Sequence, residues 1–232
     1  MQATAGREPF YEGGATRSDD LATAVPFSKF VWNIDWAAHL PRPVADDVIV
    51  DRSSLGRILP FIADNFAAIF EDDPAESRFF QKEFTDAKKR YYEGCADIFE
   101  FTHDGEIVGV LVCTPIDWST YYVRFVACLP EYRGKKLFQA FLPLLIDVLE
   151  AAGIERIEAE TSPSNLAFVH IMNKYRFNVT GTALSDRWGA LVRFTRFLDR
   201  RGESVFLTQY CTGVKYQMRG RSPTHCIERS DP

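Results

Sequence analysis

Three cations lie between a short apolar segment and a long apolar helix near the middle of the sequence. Arg133, Lys135 and Lys136 follow the segment 125–129 and a proline, and they come just before the apolar run that starts at Leu137. A turn that enters a helix presents backbone N–H groups without partners and the positive end of the helix dipole. Together with the cations these groups could bind a pyrophosphate, although a simply solvated helix start is the alternative.

Extended and helical periodicities alternate along the chain and define the elements around this turn. Alternating or β-branched runs predict strands near residues 48–50, 98–101, 107–113, 121–129, 154–161, 177–184 and 190–197. Apolar residues at helical spacing predict helices near residues 55–70, 75–92, 137–149 and 164–175. Pro60 should delay or kink the first helix, and Gly153 should end the third. This order predicts an α/β (α+β) fold with one mixed sheet flanked by helices.

Composition and charge disfavour several classes of protein. The chain has 232 residues, 46% hydrophobic and 25% charged, which fits one domain with extensions. Its net charge of -5 disfavours nonspecific nucleic-acid binding, which needs a basic surface. The five cysteines are odd in number and have no CxxC spacing, so we expect neither a disulfide framework nor a metal site. Because we find no signal peptide and no apolar window long enough to span a membrane, the expected location is the cytoplasm.

Both ends of the chain differ in character from the middle. Residues 1–43 should form a partly flexible N-terminal arm, whose aromatic part near Trp36 docks on the core or on a partner. Residues 44–198 should form the main domain, and residues 199–232 a C-terminal extension. Within that extension, residues 206–216 could hold an extra strand or two. Its cations could be solvated, or they could cover an anionic ligand.

The cationic turn resembles the start of the pyrophosphate loop of the GCN5-related N-acetyltransferase (GNAT) superfamily, whose core pattern is Arg/Gln-x-x-Gly-x-Gly/Ala. Arg133 occupies the first position of that pattern, whereas Lys136 and Phe138 stand where the family prefers small residues. The resemblance implies that the CoA pyrophosphate lies against Arg133, Gly134, Lys135, Lys136, Leu137 and Phe138. Since glycine allows the backbone to approach phosphate closely, Phe138 must point into the core or reshape the pocket. Lys136 would replace a backbone contact by a direct charge.

A second segment, Ser164–Phe177, resembles the family's helix that begins Asn-x-x-(Ala/Ser) and ends in Lys-x-Gly-Phe. Asn165 aligns with the asparagine that contacts the pantetheine or an amide of the cofactor. Arg176 replaces the usual glycine, and Met172 stands where many members carry a tyrosine that protonates the leaving thiolate. Tyr175, three residues further on, could act as this acid or could pack in the core.

The resemblance extends over residues 98–197 and implies a mostly antiparallel GNAT-like sheet with N-terminal and C-terminal extensions. In the family, backbone N–H groups of a strand beside an opening in the sheet stabilise the oxyanion of the tetrahedral intermediate. Here that role would fall to Ala127, Cys128 and Leu129, which end the strand before the cationic turn.

Glu160 is the expected base that deprotonates the amine, because it ends a strand five residues before Asn165. Acetyltransferases that modify ribosomal-protein N-termini resemble this sequence there, with a glutamate at that offset. Glu158 shares the strand face of Glu160 by the two-residue period and is an alternative. Asp117 and His170 are further candidates. An amine that is already neutral in an apolar pocket would need no base.

These resemblances imply an acyl-CoA-dependent N-acyltransferase that uses acetyl-CoA or another acyl-CoA and acts on an amine of an unidentified small molecule or protein. A non-catalytic or regulatory acyl-CoA-binding domain is one alternative, because the loop lacks glycines and the tyrosine acid is missing. An acyltransferase for a longer or carrier-bound acyl chain is another, suggested by the cationic tail and the aromatic arm. The protein could act as a monomer or as a homodimer.

Overall fold

The computed structural model describes residue 32 and residues 34–70, 85–185 and 188–210. Its strands are β1 Arg42–Ala45, β2 Val48–Arg52, β3 Asp97–His103, β4 Glu106–Pro115, β5 Thr120–Cys128, β6 Arg156–Thr161, β7 Asn178–Ser185 and β8 Gly189–Phe197. They form one sheet in the order β1-β2-β3-β4-β5-β6-β8-β7. β5 and β6 are parallel, and every other neighbouring pair is antiparallel. The predicted mixed and mostly antiparallel sheet is confirmed.

The helices cover both faces of this sheet. They are α1 Leu55–Asp64, α2 Phe66–Phe70, α3 Asp86–Cys95, α4 Leu137–Ala151, α5 Leu166–Lys174 and α6 Arg200–Tyr210, with short 3-10 turns at Trp36–Ala38 and Pro130–Tyr132. None of these described helices is long and apolar enough to cross a membrane. Residues 75–84 of the second predicted helix lie outside the described residues, and its remaining part overlaps α3.

Each face of the sheet buries its own apolar cluster. On one face, which we call the α4 face, Leu142 and Leu145 of α4 are fully buried with strand residues such as Ile157. On the opposite face, which we call the α1 face, Leu55 and Ile58 of α1 pack with residues of β3 and β4. Burial of such apolar side chains is the main stabilising contribution to the fold.

The α1 face of β6 is polar, although its α4 face is part of the core. Ile157 and Ala159 are fully buried in the cluster on the α4 face. Because side chains alternate along a strand, Glu158 and Glu160 lie on the α1 face. The carboxylates of Glu158 and Glu160 therefore lie on the face of β6 opposite to the apolar cluster that contains Ile157 and Ala159.

The predicted helix over residues 55–70 is two helices, and the break does not lie at the proline. Ser54 caps α1 by accepting the Arg57 N–H at 3.3 Å, and Pro60 lies inside the helix. The chain leaves the helix at Asn65 instead, where the side-chain amide donates to the Phe61 carbonyl at 2.9 Å. A side chain that competes for a helix carbonyl favours such an interruption.

The expectation of an extra strand in the C-terminal extension is wrong for residues 206–210, which are helical. Asp199 accepts the backbone N–H groups of Arg201 at 3.1 Å and Gly202 at 3.0 Å and so caps α6. Phe206 and Tyr210 lie four residues apart with ring centroids at 5.7 Å, which is helical spacing. These two signals outweigh the β propensity of the segment. Residues 211–216 lie outside the described residues.

Part of the N-terminal arm packs on the sheet. Ile34, Trp36 and Leu40 are buried in the cluster of the α4 face, and the Trp36 ring lies 5.0 Å from the Phe99 ring. The expected boundary between residues 43 and 44 falls within β1, which pairs with β2. Residues 34–43 therefore share a core with the residues that follow them.

Candidate active site

The parallel strands β5 and β6 separate soon after they meet. Their pairing begins at Thr120 and Arg156 and ends at Val123 and Ala159. β5 continues to Cys128, and β6 continues to Thr161. The two strands therefore leave a gap between them at their carboxyl ends.

A β-bulge lies where the strands part. Val112 of β4 pairs with Phe125, while the next residue, Cys113, pairs with Val123, so Arg124 is the extra residue on β5. Bulges increase the local twist of a strand and bend it away from a neighbour. The bulge accounts for the separation of β5 from β6, and the sequence contains no glycine or proline in β5 that would have indicated it.

Backbone hydrogen bonds along β5 alternate between β4 and the gap. The Leu129 N–H donates to the Val108 carbonyl at 2.9 Å. By the alternation of an antiparallel ladder, the Ala127 N–H also points to β4, whereas the N–H groups of Val126 and Cys128 point to the gap. Of the three oxyanion donors expected from the sequence, the Leu129 N–H is thus already used, and Cys128 is the one on the gap side. Val126 was missed because only the register with β4 identifies it.

Helix α4 begins with backbone donors that the helix itself does not satisfy. Lys136 precedes it in the left-handed conformation, with φ 64°, and no side chain caps the helix. The Ala140 N–H is bonded to the Lys136 carbonyl at 2.8 Å. The three N–H groups before Ala140 have no carbonyl partner within the helix, and the dipole adds positive charge there. This end of α4 has the properties expected of an anion site.

The cations before α4 have different surroundings. The Arg133 guanidinium donates to the carbonyls of Ala68 at 2.8 Å and Ile69 at 3.1 Å, near the carboxyl end of α2. Lys135 Nζ lies 4.0 Å from the centre of the Tyr132 ring. In this conformation Arg133 holds α2 against the turn, and its expected contact with a pyrophosphate stays a prediction. Gly134 has φ 81°, a conformation that suits glycine.

The two bulky residues that start α4 point into the core. Leu137 and Phe138 are 5% and 7% exposed, and both belong to the cluster of the α4 face. The Phe138 ring stacks on Phe168 of α5 at 5.9 Å with an interplanar angle of 11°. Of the two expectations for Phe138, the structure shows burial, so its side chain leaves the backbone N–H groups of the helix start accessible.

Two residues of the segment Ser164–Phe177 make hydrogen bonds that fix helix α5. Asn165 Oδ1 accepts the Phe168 N–H at 3.2 Å and caps the helix, so its Nδ2 group is the part that could contact a cofactor. The Tyr175 hydroxyl donates to the Gln139 carbonyl at 2.8 Å and joins the end of α5 to the first turn of α4. Met172 is fully buried. The contacts of Tyr175 fit a packing role, and its role as an acid stays a prediction.

Beside the gap, on the α1 face, Glu160 is held in a network of hydrogen bonds. Arg193 of β8 donates to Glu160 Oε1 from Nε at 2.8 Å and from Nη2 at 2.7 Å. Arg193 Nε also lies 3.9 Å from Glu158 Oε2. The Tyr122 hydroxyl lies 3.4 Å from Glu160 Oε2. Both carboxylates are about 15% exposed, whereas the Arg193 side chain is 47% exposed.

Glu158 and Glu160, which we call the acidic strip, lie beside two groups whose pKa values are raised. Burial, with the neighbouring Glu160 carboxylate, raises the pKa of Tyr122 to about 12. The hydrogen bond to Glu160 is the largest of the effects that raise the pKa of Arg193 above its usual value. Tyr122 is therefore a neutral hydrogen-bond donor beside Glu160, and Arg193 a permanent cation.

Two other candidates for the general base, Asp117 and His170, are less suitable than Glu160. Asp117 is exposed, and although partial desolvation raises its pKa, hydrogen bonds from Ser119 and Thr120 outweigh this effect and lower the pKa overall. A carboxylate so stabilised is a poor proton acceptor. His170 is exposed on α5. Within the described ranges, no group of His, Cys, Asp and Glu side chains is arranged to hold a metal ion.

Comparisons with known proteins agree with this geometry. The profile of the Acetyltransferase (GNAT) family matches residues 62–176, just under half of the chain. The ribosomal-protein-S18-alanine N-acetyltransferase from Escherichia coli has a similar structure, with a TM-score of 0.52 and 15% identity over 66% of this chain and 94% of that one. YncA from Salmonella typhimurium, solved with its cofactor acetyl-CoA, has a TM-score of 0.51 and 18% identity over 66% of this chain and 95% of that one. No curated protein sequence matches significantly. The chain has the fold of the GNAT acetyltransferases.

Proposed function

We propose that this chain is an acetyl-CoA-dependent N-acyltransferase that acts on an amine. The observation that carries the proposal is the gap between β5 and β6, which joins the uncapped start of α4 to the carboxylate of Glu160. One end of this gap can hold an anion, and the other end can hold an amine. The family profile and the acetyl-CoA bound by the similar Salmonella protein support the choice of donor.

The residues around the gap suit a long, pyrophosphate-bearing donor such as acyl-CoA. The N–H groups at the start of α4, together with Lys135 and Lys136, would hold the pyrophosphate. The N–H groups of Val126 and Cys128 would bond to an extended chain lying in place of the missing strand partner. When bound, the cofactor supplies a thioester whose carbonyl carbon forms a C–N bond with the amine while the C–S bond breaks.

The acidic strip would prepare the amine for this reaction. Glu160 would take the proton of the acceptor ammonium, and the gap-side N–H groups would stabilise negative charge on the carbonyl oxygen. Arg193 now occupies the position next to Glu160 Oε1. Because Arg193 is about half exposed, an acceptor ammonium could displace it without opening the core.

A non-catalytic acyl-CoA-binding domain is the second candidate. Two observations favour it: the Glu160 carboxylate is already paired with Arg193, and the Tyr175 hydroxyl already donates to a backbone carbonyl. An acyltransferase for longer or carrier-bound chains is a third candidate that the same experiment tests.

The experiment has a binding arm and a turnover arm. Titration calorimetry with acetyl-CoA and longer acyl-CoAs should show binding, with an affinity that falls in Lys136→Gln but not in the control Lys89→Gln on α3. A thiol-release assay with a panel of amines should then show turnover. Binding without turnover would favour the regulatory domain, tightest binding of a long acyl-CoA would favour the third candidate, and no binding would exclude the proposal.

The acceptor class, the domain limits, the cellular location and the oligomeric state are further parts of the proposal. The glutamate five residues before Asn165 resembles the arrangement in the ribosomal-protein N-acetyltransferases, and N-terminal peptides are included in the amine panel as the alternative to small amines. We propose residues 44–198 as the acyltransferase domain, against which residues 34–43 pack, and the cytoplasm as its location. Light scattering at assay concentration would distinguish a monomer from a homodimer.

A further inference from the structure

A cavity opens on the α1 face, next to the acidic strip. Its volume is about 680 Å³, and it lies between α6 and the strands β6, β7 and β8. Phe197, Val205, Phe206 and Tyr210 form its apolar wall, and Glu158 and Arg201 are among its polar lining residues. Sites for small organic ligands commonly have volumes of about 300 to 1,000 Å³ and a mostly apolar lining.

This cavity borders the candidate active site along β6, with Glu158 as the lining residue nearest to Glu160 in the strand. Glu158 lines the cavity, and it lies two residues from Glu160 on the same face of the strand. Such neighbours are separated by about 7 Å along a strand. Arg193 contacts both carboxylates. A molecule in the cavity could therefore place an amine at Glu160.

Aromatic side chains of α2, β5 and the turn between β7 and β8 pack together on the same face of the sheet. Phe70, at the end of α2, lies 5.6 Å from Phe125 and 6.0 Å from Trp188, measured between ring centroids. Trp188 belongs to the turn between β7 and β8. Among the described residues, this contact connects α2 to that turn across the face of β5.

The wall of the cavity favours a ligand with a ring. The Phe206 ring lies 5.3 Å from Phe197 and 5.7 Å from Tyr210, so three rings follow one another along α6 and β8. Val205 and Tyr210 both line the cavity and are 53% and 74% exposed. An aromatic ligand would remove this surface from water and could stack on the rings.

The charges around the cavity restrict the ligand further. Arg156 and Arg201 line it, while Glu158 is the carboxylate among the lining residues. A second cation on the ligand would meet these arginines and would be repelled. A polyamine therefore fits poorly, and a monoamine with an apolar body fits well.

We propose that this cavity, walled by α6, binds the body of the acceptor, which is a small monoamine with an apolar, ring-containing body. This inference rests on the proposed N-acyltransferase function, since the amine is placed at Glu160. The C-terminal extension thus contributes a wall of the acceptor site, and the ring of the acceptor lies against Val205 and Phe206.

The test blocks the cavity without touching the gap. Val205→Trp should fill the cavity from α6, and Thr208→Trp adds the same ring at an exposed position of α6 outside it. With 2-phenylethylamine as acceptor, Val205→Trp should raise KM about tenfold, which corresponds to about 1.4 kcal/mol of lost binding, while Thr208→Trp leaves KM unchanged. Acetyl-CoA affinity should be equal in all three proteins, and spermidine should be a poorer acceptor than 2-phenylethylamine.

A direct measurement separates this inference from the proposed function. Binding of 2-phenylethylamine without cofactor, followed by ligand-observed NMR, should be lost in Val205→Trp and kept in Thr208→Trp. If the amine binds in this way but acetyl-CoA does not bind, the cavity is a ligand site and the proposed function is overturned. Acetyl-CoA binding with an amine affinity or KM that Val205→Trp does not change would overturn the cavity alone. Self-association lost only in Val205→Trp, with unchanged KM, would assign the cavity to a second copy of the chain and also overturn it.

Discussion

At the scale of single residues, the proposed reaction depends on one carboxylate. Glu160 lies beside the gap, and its neighbour Glu158 has the same strand face and the same cation, Arg193. The two glutamates differ mainly in their distance from the end of β6. Their comparison therefore tests the position of the base while the local charge stays the same.

Replacing Glu160 by glutamine should lower kcat by about 10²- to 10⁴-fold, because general-base catalysis contributes about that much. Glutamine keeps the side-chain oxygen that accepts hydrogen bonds from Arg193, so folding should be retained. The KM for acetyl-CoA should change little. Steady-state kinetics with a saturating amine would measure this, and Glu158→Gln, the matched control, should keep most of the kcat. Equal losses in both variants would contradict the assignment of Glu160 as the base.

Tyr122 should make folding sensitive to alkaline pH. Its pKa is raised to about 12 from an ordinary value near 10, mainly by burial. Between these values the unfolded chain loses the phenol proton while the folded chain keeps it, so stability present below pH 10 is lost as pH rises toward 12. Urea unfolding from pH 9 to 11.5 should show a smaller loss of stability in Tyr122→Phe than in the wild type. Parallel curves would show that Tyr122 is not buried as the structure indicates.

At the scale of elements, the start of α4 combines a functional requirement with backbone strain. Lys136 adopts φ 64°, which costs a residue with a Cβ about 1 to 2 kcal/mol relative to glycine. Glycine loses about 0.5 to 1 kcal/mol through its greater freedom in the unfolded chain. A lysine therefore holds this left-handed position at a net cost, which is consistent with the proposed contact of its charge with a pyrophosphate.

Lys136→Gly should consequently be more stable than Lys136→Ala, by up to about 1 kcal/mol in the free energy of unfolding. Both variants remove the charge and should bind acetyl-CoA more weakly than the wild type, with less dependence on salt. Urea titration and calorimetry at two salt concentrations would measure these effects. Alanine and glycine variants of equal stability would argue against the left-handed backbone at this position.

The hydrogen bond from Tyr175, after α5, to Gln139 of α4 gives a second test at this scale. Tyr175→Phe removes the hydrogen bond to the Gln139 carbonyl and should destabilise the protein by about 1 kcal/mol. If Tyr175 only packs, kcat at pH 7 should stay within about twofold of the wild type. Thermal unfolding and thiol-release kinetics would decide the matter, since a fall in kcat of a hundredfold or more would identify the tyrosine as the acid.

At the scale of the whole molecule, the cofactor should stabilise the fold. The proposed site joins β5, the start of α4 and the cap of α5, so an acyl-CoA would connect elements from both sides of the gap. At a concentration of about 100 Kd, a ligand that binds only the folded chain adds about 2.7 kcal/mol. A rise of several degrees in Tm with acetyl-CoA should be seen in differential scanning fluorimetry. The same concentration of ADP, which offers the pyrophosphate without the pantetheine, should stabilise less.

Much of this fold can be inferred from sequence, because its signals are local. Helix α4, the hairpin of β3 and β4, and the cationic turn each follow from periodicity and turn residues over fewer than 20 positions. The burial of Phe138 was one of two expectations, and its stacking on Phe168 decided between them. The sequence did not predict helix α6, because the β propensity of the residues after Asp199 obscures the capping role of that residue.

The sequence by itself therefore determined the order of elements from β2 to β8, the cationic start of α4 and the two glutamates of β6. Tertiary structure alone decided which N–H groups of β5 face the gap, because that depends on the register with β4. It also decided that Arg193, 33 residues from Glu160, occupies the carboxylate, and that α6 walls a cavity beside it. The physical reason is that these features depend on pairing and packing between distant segments, whereas propensity and periodicity act within a few turns of the chain.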